Sequence, residues 1–194
     1  MIKGIVFDMD GTITVPVIDF KKLRKELNVA DDWDLLKDLN RLSKTEKEKH
    51  LSVIHRYEKE ASNNIILQDG VVESISMLKS RGIKLAILTR NSKESTELVL
   101  NKMGIDFDTV LTRDFPYVKP APEPIYHILK EWNLEKSHLI IVGDNRDDIL
   151  CGKNANIKTC LYAEDNFYVN KLKVLPEYIV KNYTEFSSLI KSLI

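Results

Sequence analysis

Two rhythms of apolar residues alternate along the chain. Short, almost continuously apolar runs fall at Ile2–Phe7, Lys84–Leu88, Thr109–Leu111, Leu139–Val142, Lys158–Tyr162 and Tyr178–Val180. Each has the length and β-branched content of a buried strand. Between them lie longer segments with helix-like ends. Val71–Ser80 closes at Arg81-Gly82, and Lys93–Met103 opens after Asn91-Ser92 and closes at Gly104. Pro124–Trp132 carries proline in its first turn, Arg146–Lys153 follows the fourth strand, and Glu185–Leu193 is capped by Thr184. Strands that are apolar throughout and separated by helices imply a parallel sheet covered on both faces. The pattern predicts an α/β, Rossmann-like fold.

Residues 15–68 break the alternation. They hold no convincing strand and are dense in charge and helix formers, with helices expected over Phe20–Leu27, Trp33–Leu42 and Thr45–Ala61. Asp31-Asp32 can cap the second, and Ser43 or Thr45 the third. Leu23, Leu27, Leu35, Leu36, Leu39, Leu42, Leu51 and Ile54 are enough apolar residues for a small bundle. The expected organisation is therefore a core of residues 1–14 and 69–194, with an all-α insertion, residues 15–68, after the first strand.

Composition narrows the partners. With 194 residues, 43% of them hydrophobic, the chain can bury a substantial core. Lys+Arg and Asp+Glu both number 29, so there is no net charge to draw the chain to nucleic acid or to an anionic membrane. Cys151 and Cys160 form no C-x-x-C pair, which argues for a reduced, cytoplasmic protein rather than a disulfide framework or a zinc module. His50, His55, His127 and His138 make no ligand cluster. Apolar runs such as HLIIV and NIIL are too short to span a bilayer, and strand-like sequence from Ile2 is expected to leave no room for a signal peptide.

In open parallel sheets ligands bind at the carboxyl ends of the strands. The first strand delivers Asp8, with Asp10 on the same side, then Gly11-Thr12. The second delivers Thr89-Arg90-Asn91, the third leads to Lys119-Pro120, and the fourth delivers Gly143-Asp144 with Asp147 and Asp148. Alone, each is an ordinary turn, cap or loop residue. Together they place several carboxylates, a hydroxyl and a lysine at one end of the sheet. Crowded carboxylates call for a cation, and oxygen-only ligands favour Mg²⁺. A lysine and a threonine beside it suit a phosphoryl group.

These residues resemble the haloacid dehalogenase superfamily of phosphohydrolases. Its D-x-D-G-[TV] motif is matched by Asp8-Met9-Asp10-Gly11-Thr12, its strand-closing Thr by Thr89, its Lys-Pro by Lys119-Pro120, and its G-D-x-x-x-D by Gly143-Asp144 with Asp148. The resemblance implies Asp8 as nucleophile and Asp10 as general acid and base. It also implies Mg²⁺ held by the Asp8 carboxylate, the Asp10 carbonyl and Asp144. Asp148, which the family's spacing selects over Asp147, would orient this group and hold Lys119. Thr89 and the Arg90 N–H would grip phosphoryl oxygens, and Lys119 would offset charge. The insertion falls where the family carries a helical cap, and the short stretch between Thr89 and Lys119 leaves the second cap position empty.

Asp10 argues against members that cleave carbon–halogen or carbon–phosphorus bonds, which do not share it. The resemblance thus points to a phosphatase acting on a small-molecule phosphate ester, closest to phosphoglycolate-phosphatase-like members and working as a monomer or weak dimer. Arg24, Arg41, Lys44, His50 and Arg56 are candidate substrate contacts in the cap, although most helix charges are simply solvated. Two alternatives stay open: a sugar phosphomutase of the same fold, and a receiver-like phospho-acceptor switch.

Overall fold

The computed structural model describes residues 1–30, 33, 35, 38–62, 64–163 and 173–194. Six strands form one parallel sheet: β1 (Gly4–Phe7), β2 (Lys84–Leu88), β3 (Thr109–Leu111), β4 (Leu139–Gly143), β5 (Lys158–Tyr162) and β6 (Tyr178–Val180). Their spatial order is β3-β2-β1-β4-β5-β6. The chain therefore runs outward from β1 to β3, then crosses back to place β4 on the other side of β1. That reversal opens a crevice at the carboxyl ends of β1 and β4.

Seven helices are described: α1 (Phe20–Leu27), α2 (Lys44–Ser62), α3 (Val71–Ser80), α4 (Lys93–Met103), α5 (Glu123–Trp132), α6 (Arg146–Ala155) and α7 (Tyr183–Leu193). Period-2 alternation sends the two sides of each strand to different cores. On one face Val6, Ala86, Leu88, Leu111, Leu139 and Ile141 pack with Ile125, Ile128 and Leu129 of α5 and Cys151 and Ala155 of α6. On the other, Phe7 meets Phe186 of α7 edge-on, with ring centres 5.7 Å apart. The all-buried central strands are why the sequence shows unbroken apolar runs there.

Several element ends differ from expectation by one or two residues, and three differences stand out. The first strand begins at Gly4, because the Ile2 N–H bonds to Leu193 O at 2.7 Å. The last helix begins at Tyr183, and its cap is Asn182, which accepts from Glu185 N at 2.9 Å, rather than Thr184. Starting one residue before Thr184 lets Tyr183 bury its ring. In the expected helix Trp33–Leu42, the described element is one 3₁₀ turn, Asp38–Arg41. The proposed Asp31-Asp32 cap lies outside the described residues.

The chain divides into two compact units, Met1–Val15 with Ile66–Ile194, and Pro16–Ile65. In the second, Leu23 and Leu27 of α1 pack with Ile54 and Tyr57 of α2. Asp19 caps α1, accepting from Lys21 N and Lys22 N at 3.0 Å. Ser43 and Glu46 exchange bonds at the start of α2, as the sequence signature requires. Among the described residues no helix is long and apolar enough to cross a membrane.

Candidate active site

The loop after β1 carries the densest chemistry. Asp8 N donates to Val142 O at 2.8 Å, which continues the β1–β4 ladder and fixes the Asp8 backbone at the sheet's end. Beyond it the chain turns tightly on Met9 O, which accepts from Ile13 N and Thr14 N. Gly11 sits at φ +82°, and a Cβ there would run into the Asp144 carboxylate. Only glycine satisfies both demands. Gly143, which ends β4, has a similar role: a Cβ on it would strike the Asp148 carboxylate.

These close approaches gather charge. Carboxylate oxygens of Asp8, Asp144 and Asp148 all lie within 4.8 Å of one another. Lys119 reaches in from the loop before α5, its side chain 4% exposed, and ion-pairs with both Asp8 and Asp148. Its ammonium lies 2.6 Å from Asp148 Oδ1, a close ion pair. The other oxygen, Oδ2, accepts from Asn145 N at 3.0 Å, and Asn145 caps α6 in turn by accepting from Asp147 N. Asp148 is thus tied to the helix start while it faces the lysine.

Two buried acids, Asp8 and Asp148, and the half-buried Asp144 share one buried base, and the titration behaviour follows. Burial, then Asp8 and then Asp148 push the Asp144 carboxyl up to about 9. Asp148 is pushed up to about 6, again by burial and Asp8, with Lys119 pulling the other way. Burial by itself would lower Lys119, but the charges of Asp148 and Asp8 overcome it and hold the ammonium well above its ordinary value. The lysine offsets one charge of three. A hard divalent cation fits the remainder: the donors are all oxygens, with neither His nor Cys among them.

Neighbouring strand ends complete the site. Thr89 is buried at the end of β2, and its Oγ1 accepts from Asn91 N at 3.1 Å, which leaves its hydroxyl proton available to donate. The Arg90 side chain turns to Asp147, 3.3 Å away. Asp10 is half-buried, with Oδ1 accepting from Thr14 Oγ1 at 3.1 Å and Oδ2 from Asn91 Nδ2 at 2.7 Å. All seven residues singled out from sequence lie in the first unit. Of these, Asp8, Lys119, Asp144 and Asp148 form one cluster, while Asp10 and Arg90 each pair outside it. Asn91 was expected at the second strand's end but given no role there, and Thr14 was not singled out. Asn91 read as part of a helix start, yet Ser92 is the cap of α4, accepting from Ser95 N, and the Asn91 amide goes to Asp10. Its place two residues after Thr89, at a strand end, was the available signal.

The five cap candidates lie in the second unit. Arg41 pairs with Asp38 at 2.9 Å, and Arg56 pairs with Glu26. His50 stacks on Trp33, with ring centres 6.3 Å apart, and its Nδ1 lies 2.9 Å from Glu46 O. Arg24 lies over the Phe20 ring, and Lys44 is exposed at the start of α2.

The chain as a whole is similar to known proteins. The profile described as "Haloacid dehalogenase-like hydrolase" fits residues 5–162. The chain belongs to that family. A haloacid dehalogenase-like hydrolase domain-containing protein of Arabidopsis thaliana is 31% identical over 98% of this chain and 84% of its own length. Pyrophosphatase PpaX of Oceanobacillus iheyensis is 26% identical over 97% of both chains. Among solved structures, a predicted phosphoglycolate phosphatase from Haemophilus somnus superposes with a TM-score of 0.77 at 22% identity, covering 100% of this chain and 98% of its own. The family member described here is thus a hydrolase with the family's parallel-sheet fold.

Proposed function

We propose that this hydrolase is a Mg²⁺-dependent phosphatase that cleaves a small phosphate ester through an aspartyl-phosphate on Asp8. The observation that carries the reading is the buried cluster in which Lys119 pairs with Asp8 and Asp148 while Asp144 closes on Asp8. Asp8 attacks phosphorus, the phosphorus–oxygen bond to the leaving group breaks, and Asp10 gives that oxygen its proton. Water then attacks the aspartyl-phosphate, Asp10 takes the water's proton, and inorganic phosphate leaves. Asp8, Asp144 and the Asp10 carbonyl would hold Mg²⁺, which when bound supplies charge neutralisation and polarises the phosphoryl group. Thr89 donates to a phosphoryl oxygen, the Arg90 N–H adds a second donor, and Lys119 balances the nucleophile's charge. Asp148 keeps Lys119 in place.

The phosphatase and pyrophosphatase names of the relatives support the reaction class and guide the choice of substrates. We read the helical unit, residues 16–65, as the part that selects among phosphate esters. The test is p-nitrophenyl phosphate with Mg²⁺, followed by a panel that includes phosphoglycolate and inorganic pyrophosphate. Asp8→Asn should abolish turnover, and equal rates for both proteins would end the proposal.

A further inference from the structure

We infer that Asn91 and Thr14 are positioning residues that set the orientation of the Asp10 carboxyl, so that acid assistance to the leaving group depends on both. The inference rests on the phosphatase reading and adds two residues to it. An aspartate carboxyl turns freely unless both oxygens are held, and a general acid works only when its proton faces the departing atom. Here each oxygen has its own donor, Thr14 Oγ1 on Oδ1 at 3.1 Å and Asn91 Nδ2 on Oδ2 at 2.7 Å.

Both donors are themselves fixed. The Asn91 backbone is bound on two sides, its N–H to Thr89 Oγ1 at 3.1 Å and its carbonyl from Arg113 N at 3.0 Å. Thr14 is buried, and its carbonyl accepts from Gly11 N at 2.8 Å. The two differ in chemistry. The Asn91 amide nitrogen only donates, so it holds one oxygen throughout. The Thr14 hydroxyl has one proton and faces two acceptors, Asp10 Oδ1 and Met9 O at 3.4 Å.

The measurement is kcat/KM for p-nitrophenyl phosphate and for phenyl phosphate, compared among wild type, Asn91→Leu, Thr14→Val and Thr14→Ser, with Asp8→Asn as blank. kcat/KM reports phosphoryl transfer to Asp8, and phenoxide needs a proton more than p-nitrophenoxide does. Asn91→Leu and Thr14→Val should each raise the ratio of the two constants about tenfold, a part of the roughly 10²–10⁴-fold that a positioned acid supplies. Thr14→Ser, which keeps the hydroxyl, should keep the wild-type ratio. Equal losses on both substrates would mean general damage and would overturn the inference, as would unchanged kinetics. Wild-type release no faster than Asp8→Asn would instead sink the phosphatase reading beneath it.

Discussion

Lys119 shows how one side chain can be committed to two acids at once. Its ammonium lies between Asp8 and Asp148, nearly sealed from water. Removing it strands two buried carboxylates, so Lys119→Met should cost about 3–5 kcal/mol of stability as well as activity, the usual penalty for breaking a buried pair. Urea titration in EDTA checks the first effect, and p-nitrophenyl phosphate turnover the second. Asp144 gives the complementary prediction. Its carboxyl, raised to about 9 in the metal-free protein, holds a proton that the unfolded chain releases near 4. Its contribution to stability is therefore complete below pH 4 and is lost as pH rises toward 9. A cation binding the ionised form reverses this loss. The rise in Tm on replacing EDTA with Mg²⁺ should grow steadily from pH 6 to pH 9, and a pH-independent rise would count against Asp144 as ligand. Asp8 and Asp144 were legible because each follows an apolar run, and Asp148 because it lies four residues beyond Asp144. Their tuning was not, since it depends on Gly11 and Gly143 letting carboxylates approach to distances that a sequence pattern does not encode.

At the scale of elements, the strands and most helix ends could be read because apolar continuity, glycine and capping residues are local signals. The last helix could not be read as well: Thr184 and Asn182 are both plausible caps, and the burial of Tyr183 decides between them. Asn182→Ala should lower stability by about 0.5–2 kcal/mol, as a lost cap does. Gly143→Ala tests a junction between strand and helix. The added methyl would collide with Asp148, the residue that accepts from Asn145 N at the start of α6 and holds Lys119. Turnover should fall more than stability, which parallel thermal melts and initial rates would show. Overpacking of this kind costs about 1–3 kcal/mol.

At the scale of the molecule, the segments that lead into and out of residues 16–65 run side by side. Val15 N bonds Ile66 O at 2.8 Å, and Gln68 N bonds Ile13 O at 2.9 Å. Replacing 16–65 with a short glycine-rich turn should therefore leave the sheet unit folded, with a cooperative melt and an unchanged strand signature by circular dichroism. The insertion itself was visible as a break in the strand–helix alternation. One long-range link was not. The Tyr183 hydroxyl, at the start of the final helix, donates to Thr12 O at 2.8 Å, in the loop that carries the nucleophile. That buried carbonyl is held by a group 171 residues further along the chain. A nascent chain that already carries every acid, Thr89 and Lys119 still lacks this strut, so the loop that carries Asp8 gains it only once Tyr183 has been added.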